Sequence, residues 1–180
     1  LLASVSKIFN EDLSFHGSLK KVLKTVAETG NYSLAECWLA DADKQFMNLA
    51  SWFTADEQVK EFYSHTEYFR KVSRGEGLPG KVWQSGEVLH WSAGVDDGIF
   101  VRAKPAEKAG LEKISAVPLF YNNEVIGVML LGFSARVKSR FTLAGNASEF
   151  GKYLGVEIKR KQIEQELGQI FNVAPDVICI

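Results

Sequence analysis

The chain has 180 residues with 21 basic and 22 acidic side chains, a net charge of −1, so no broad field argues for nucleic acid or an anionic membrane as partner. Hydrophobic residues make up 46% and aromatic residues 12%, which excludes a disordered chain and allows one domain with a real core. No apolar run reaches the roughly 18 residues that a membrane span needs, and the first residues have neither the charge nor the layout of a targeting peptide.

Residues 1–29 read as helix interrupted near His16-Gly17, with Leu19, Val22, Leu23 and Val26 as one apolar stripe. Gly30-Asn31 ends it. Residues 35–39 and 46–53 read as strands joined by a turn at 41–44, and 56–69 as a short helix. Residues 79–85 make a helix of about two turns, closed by Gly86. A brief strand at 88–91 leads into a long polar segment, 92–113, whose length suggests a functional flap or a mobile loop. Residues 114–121 and 125–133 are apolar strands joined by Asn122-Asn123, which tolerate the backbone of a tight hairpin. From Phe141 to about Ile170 the chain reads as helix. Hairpin-linked strands imply an antiparallel sheet, and the terminal helices have one face of it to cover: an α+β layered domain.

Gly75-x-Gly77-x-x-Gly80 matches, by spacing alone, a dinucleotide fingerprint or a kinase phosphate loop. Context excludes both. The preceding residues 69–73 do not read as a buried strand, the helix that follows is too short, and the catalytic motifs of a kinase are missing. The glycines shape a turn that seats Val82 and Trp83 in the core.

The stretch "GEGLPGKVWQSGEVLHW" (75–91) resembles a segment of GAF domains. So do "LAECWLAD" (34–41), which looks like a first sheet strand, "AVPLFYNNEVIGVMLLGF" (116–133), like a central hairpin, and "LGVEIKRKQIEQEL" (154–167), like an exit helix. The resemblance implies a GAF-like central antiparallel sheet of five to six strands, with N- and C-terminal helices packed on one face and a ligand or protein site on the other. It covers 1–167 including the exit helix. The end, "ELGQIFNVAPDVICI" (166–180), resembles the start of a PAS domain, so 168–180 is expected to be linker and truncated PAS start. A chain opening on Leu1-Leu2 and closing on an apolar run is expected to be a piece of a longer protein.

Tyr153, Val156, Arg160, Ile163, Leu167 and Ile170 alternate in spacings of three and four, the seam of a parallel two-helix coil, while Phe150, Leu154 and Ile158 share a neighbouring face that can dock on the helical layer. This implies a homodimer through the terminal helices. The expected function is a cytoplasmic sensory and dimerisation module of a signal-transduction protein, a two-component sensor histidine kinase. The alternatives are a ligand-free structural spacer and the input domain of a cyclic-di-nucleotide enzyme.

The expected ligand-side residues are Trp38, Trp52, Trp91, Arg102, Leu119 and Tyr121, with Arg102 and Lys104 suited to an anion. If Cys37 and Leu39 face the helices, Glu36 and Trp38 face the ligand side. Cys37 and Cys179 stand apart in apolar runs, which speaks for a reducing compartment and against a disulfide or zinc framework. Neither cysteine lies where bilin-binding GAF domains attach their chromophore, no N-K-x-F-D-E pattern of cyclic-nucleotide binders is present, and one cysteine in the domain cannot assemble sulfoxide-reducing chemistry. His16, His65 and His90 are widely separated, with no metal spacing; a single histidine could hold haem. No catalytic constellation stands out, and the sequence leaves both the cofactor and the identity of any small-molecule ligand unknown.

Overall fold

The computed structural model describes residues 1–66, 69–95, 98–134 and 146–173. The elements run α1 (Leu2–Phe9), α2 (Phe15–Gly30), β1 (Leu34–Ala40), β2 (Met47–Phe53), α3 (Glu57–His65), β3 (Lys71–Val72), α4 (Gly77–Ser85), β4 (Leu89–Ser92), α5 (Ala103–Lys108), β5 (Leu111–Tyr121), β6 (Glu124–Ser134) and α6 (Ala147–Val173). The six strands form one sheet in the order β3-β2-β1-β6-β5-β4, and every described pairing is antiparallel. The α+β architecture is that expected.

Strand alternation sends each strand's side chains to two different cores. Ala35, Cys37 and Leu39 of β1 join Val117, Leu119, Met129 and Leu131 beneath the helical layer. There α1, α2 and α6 supply Val5, Phe9, Leu19, Val22, Leu23, Phe150, Leu154 and Ile158. On the opposite face Leu34, Trp38, Val128, Leu130, Ile114 and Ala116 meet residues of α3, α4 and α5, among them Val59, Phe62, Leu78, Val82, Trp83 and Ala106. The condition set for Glu36 and Trp38 in the sequence therefore holds: both lie on the face away from the terminal helices.

Four local expectations are corrected. The N-terminal helix breaks at residues 10–14, not at His16-Gly17, because the Ser14 side chain caps a new helix by accepting from the Gly17 amide at 3.1 Å. Asn31, with φ 56°, takes the left-handed position that ends α2, while Gly30 stays helical. Residues 71–72 do form a short edge strand on β2, and residues 103–108 of the polar segment form α5. Both were hidden because a two-residue edge strand and a six-residue helix are too short to show a period. The hairpin at Asn122 (φ 49°) and Asn123 (φ 61°) is as read. The expected helix start at Phe141 and the PAS-like end beyond 173 lie outside the described residues.

Four amides of the glycine-rich turn are taken up within it. Gly75 donates to the Gly80 carbonyl at 2.8 Å, Glu76 to Ser73, and Gly80 to Glu76, while the Ser73 amide donates to the Glu76 carboxylate. Amides so committed do not form a phosphate cradle.

Helix α6 lies directly on the backbone of β5. A Cβ at Gly155 would stand 2.2 Å from the Phe120 carbonyl oxygen, and one at Gly151 2.1 Å from that of Pro118. Gly155→Ala must push the helix off the sheet, and overpacking of this kind costs about 1–3 kcal/mol. Urea denaturation of Gly155→Ala should show a loss in that range with an unchanged slope, whereas Gly168→Ala, with open space around it, should be neutral or slightly stabilising.

Candidate functional site

An acidic residue in the middle of the apolar strand Leu34–Ala40 is costly unless it finds charge and hydrogen bonds. Glu36 finds both. Its side chain is fully buried, and Arg102, itself 1% exposed, reaches it through both terminal nitrogens, Nη1 to Oε1 at 2.9 Å and Nη2 to Oε2 at 2.7 Å. The Trp38 indole donates to Oε2 at 2.7 Å and the Tyr63 hydroxyl to Oε1 at 2.9 Å. Four donors thus fill the carboxylate's acceptor sites.

Three separate parts of the chain converge here: β1 with Glu36 and Trp38, α3 with Phe62 and Tyr63, and the residue before α5, Arg102. Aromatic rings wall the guanidinium. Its central carbon stands 4.8 Å from the Phe62 ring centre, 5.3 Å from Phe100, 5.4 Å from Trp38 and 5.6 Å from Phe69, distances at which a desolvated cation is attracted to ring faces. Two donors in this region have no partner among the described residues, Arg102 Nε and Trp91 Nε1. Both neighbour Phe100, whose ring centre lies 5.2 Å from that of Trp91.

The electrostatics follow from the geometry. Burial by itself would raise the Glu36 carboxyl, but the charge and hydrogen bonds of Arg102, with those of Trp38 and Tyr63, outweigh it and hold the group below the ordinary carboxylate range. Burial and the adjacent Glu36 charge push the Tyr63 hydroxyl well above its usual value, so it remains a donor. Cys37 points to the helical face, and burial pushes its thiol far above the normal range, which leaves it a small apolar side chain and not a thiolate.

Of the six residues picked from sequence, the structure brings three together around the ion pair: Trp38, Trp91 and Arg102. Trp52 adjoins them indirectly, stacked on Tyr63 with ring centres 3.7 Å apart. Leu119 lies on the opposite face in the helical core, and Tyr121 closes the β5–β6 hairpin; their strand turns them away from Arg102. Lys104 is exposed on α5. Arg102, expected to suit an anion, is already neutralised by Glu36. Sequence reasoning put Glu36 on this face without choosing it as a site residue, and passed over Tyr63, Phe62, Phe69 and Phe100. The one available signal was the carboxylate inside an apolar strand, which demands a buried cation. His16, His65 and His90 are all exposed, and no cluster of metal-ligating side chains occurs among the described residues.

The family described as "GAF domain" matches residues 12–144. Similar solved structures include the GAF domain of a phosphoenolpyruvate-protein phosphotransferase from Coxiella burnetii (TM-score 0.69, 14% identity, 92% of this chain and 94% of that one). A free methionine-R-sulfoxide reductase from Neisseria meningitidis, in complex with its substrate, is also similar (TM-score 0.66, 15% identity, 91% and 89%). So is a mutated NreA protein from Staphylococcus aureus, altered in its nitrate binding site (TM-score 0.52, 20% identity, 65% and 85%). No curated protein sequence matches the chain.

Breaking the buried pair from one side should be severe. Arg102→Met leaves a buried carboxylate without its cation and should cost about 3–5 kcal/mol in denaturant unfolding. Glu36→Gln/Arg102→Met should be more stable than Arg102→Met alone, since neutralising both partners removes the unpaired charge.

The pair also sets a pH dependence. The folded pKa of Glu36 lies below its unfolded value, so its contribution is complete above the ordinary carboxylate pKa and is lost as pH falls towards the folded value. The stability difference between wild type and the double variant should hold steady near neutrality and shrink in acid, as read by unfolding from about pH 7 down to about pH 3.

Proposed function

The chain belongs to the GAF-domain family, and from that premise we propose that it is the sensory input and dimerisation module of a two-component sensor histidine kinase, with a small-molecule ligand on the face under α3 and α5. The observation that carries the reading is α6. At 27 residues it runs about 40 Å, far more than it needs to cover the sheet. Phe150, Leu154 and Ile158 are buried against the domain, whereas Val156, Ile163, Leu167 and Ile170 are 49%, 38%, 49% and 61% exposed. An apolar stripe at coiled-coil spacing on the free side of a helix that leaves the domain suits a second copy of the same helix. Tyr153 is tied down instead, its hydroxyl donating to the Leu2 carbonyl at 3.2 Å, so the seam of the proposed dimer begins at Val156. Arg160, in mid-seam, bonds Glu157 on its own helix at 2.7 Å.

The module is proposed as non-catalytic. Cys37 is buried, protonated and on the helical side, so it is not placed as a nucleophile for the ligand face. Small ligands figure in the descriptions of the reductase and the nitrate-site protein, which supports a small molecule on this face. Ligand state would pass to α6 by favouring one of two packings of that helix. Placement before a PAS domain and a reducing, cytoplasmic setting belong to the same proposal. No helix among the described residues is long and apolar enough to cross a membrane.

Sedimentation equilibrium tests the dimer. Wild type should show a concentration-dependent dimer, and Ile163→Glu/Leu167→Glu should be monomeric yet folded, with the wild type's near-UV circular dichroism, because both positions lie outside the cores. A wild-type chain that stays monomeric at high concentration would overturn the reading.

A further inference from the structure

We propose that the aromatic chamber over Glu36 is a binding site for a small organic cation, a guanidinium or alkylammonium compound, and that Arg102 is its built-in occupant. The inference rests on the reading of this face as the ligand side and names the ligand's chemistry.

The receptor and the occupant come from different parts of the chain. Glu36 and Trp38 belong to a central strand of the sheet, and Phe62 and Tyr63 to α3. Arg102 belongs to the segment 98–110, bounded by Gly98 and Gly110 with φ of 65° and 78°, where a backbone bend is tolerated. That segment holds α5, one and a half turns long, and presents Val101 at 53% exposure. If it swings away, Trp38 and Tyr63 still donate to Glu36 and their rings still stand over it. What remains is a carboxylate with two hydrogen bonds beneath aromatic faces, the arrangement that recognises organic cations.

Energetics make this a displacement and not a simple opening. Withdrawing Arg102 without replacement strands a buried carboxylate, so the segment stays shut on its own. A free cation that takes the vacated place removes that penalty, and it favours the open arrangement by its affinity for that arrangement alone. The internal occupant is an imperfect fit: its Nε has no acceptor among the described residues. A free guanidinium is not bound by Arg102's backbone and can orient to satisfy its remaining donors. An anion has no such opening, because Glu36 already neutralises Arg102, the one arginine buried among the described residues.

The test uses methylguanidine, with methylurea as its neutral isostere and acetate as the anion. Arg102→Ala vacates the chamber; methylguanidine should raise its melting temperature by several degrees, while methylurea and acetate do not. Should Arg102→Ala fail to fold alone, the yield of folded protein on refolding with methylguanidine against methylurea is the same readout. Glu36→Gln/Arg102→Ala should lose the response. In wild type, methylguanidine should speed chymotryptic cleavage after Phe100, which is 4% exposed in the closed form, and methylurea should not. Equal effects of methylguanidine and methylurea, or an undiminished response in the double variant, overturn the cation site. Rescue of Arg102→Ala without faster cleavage of wild type overturns displacement of the native arginine. None of these readouts depends on α6 or on dimerisation, so the signalling proposal can fail while the cation site stands.

Discussion

A carboxylate sits fully buried in the middle of the sheet, and the half of the domain under α3 and α5 is arranged around it. Glu36 is buried on a central strand. An ionised carboxylate there is tolerable only with a matched cation and filled lone pairs. Arg102 supplies the cation, Trp38 and Tyr63 the remaining donors. This requirement fixes α3, which must bring Tyr63 within reach, and the segment before α5, which must bring Arg102. Replacing such a pair with apolar residues of similar size is often neutral or stabilising, so raw stability gives little reason to build one. Its geometry instead specifies how α3 and the segment before α5 sit against β1.

The two faces of the sheet are held by different physics. Under the terminal helices aliphatic side chains and a few aromatic rings pack closely, with glycines at 151 and 155 letting α6 rest on β5 carbonyls. Such packing is dense and resists deformation. Under α3 and α5 the contacts are aromatic rings around an ion pair, with two buried donors lacking partners among the described residues. The helical layer has one such atom as well, the Ser18 hydroxyl oxygen of α2, and each carries a cost in a dry place. The helical face is thus held by close packing, and the opposite face by a buried ion pair among aromatic rings.

The sequence revealed those features whose signal is local. Periodicity gave the strands and the terminal helices. Asn122-Asn123 gave the hairpin, and Gly86 gave the end of α4. Strand alternation put Cys37 and Leu39 on one side and Glu36 and Trp38 on the other. What it concealed was tertiary. Arg102 is 66 positions from Glu36, and a single arginine in a polar stretch looks the same whether it meets solvent or a buried carboxylate. Hence it was assigned to an anion. Tyr63 and Phe62 belong to a helix whose pattern gives its apolar side but not its neighbour. Leu119 shows the opposite failure: its alternation within β5 was read correctly, but nothing local said which side of that strand faced Arg102.

The chain's own alternation links the Glu36 face to α6. Ala35 and Cys37, the immediate neighbours of Glu36 in β1, are buried in the helical core with Leu154 and Ile158 of α6. A strand cannot shift its Glu36 position without shifting those two, because successive residues share one backbone and point to opposite faces. In the other direction, β6 joins β1 to β5, on whose carbonyls α6 rests. A change of charge partner at Glu36 therefore acts on an element one residue away from the packing of α6, and dense packing favours a discrete alternative seat over a gradual slide. In the proposed sensor, the route from ligand to helix is the thickness of one sheet, and the free end of α6 carries any new seat outward along its length.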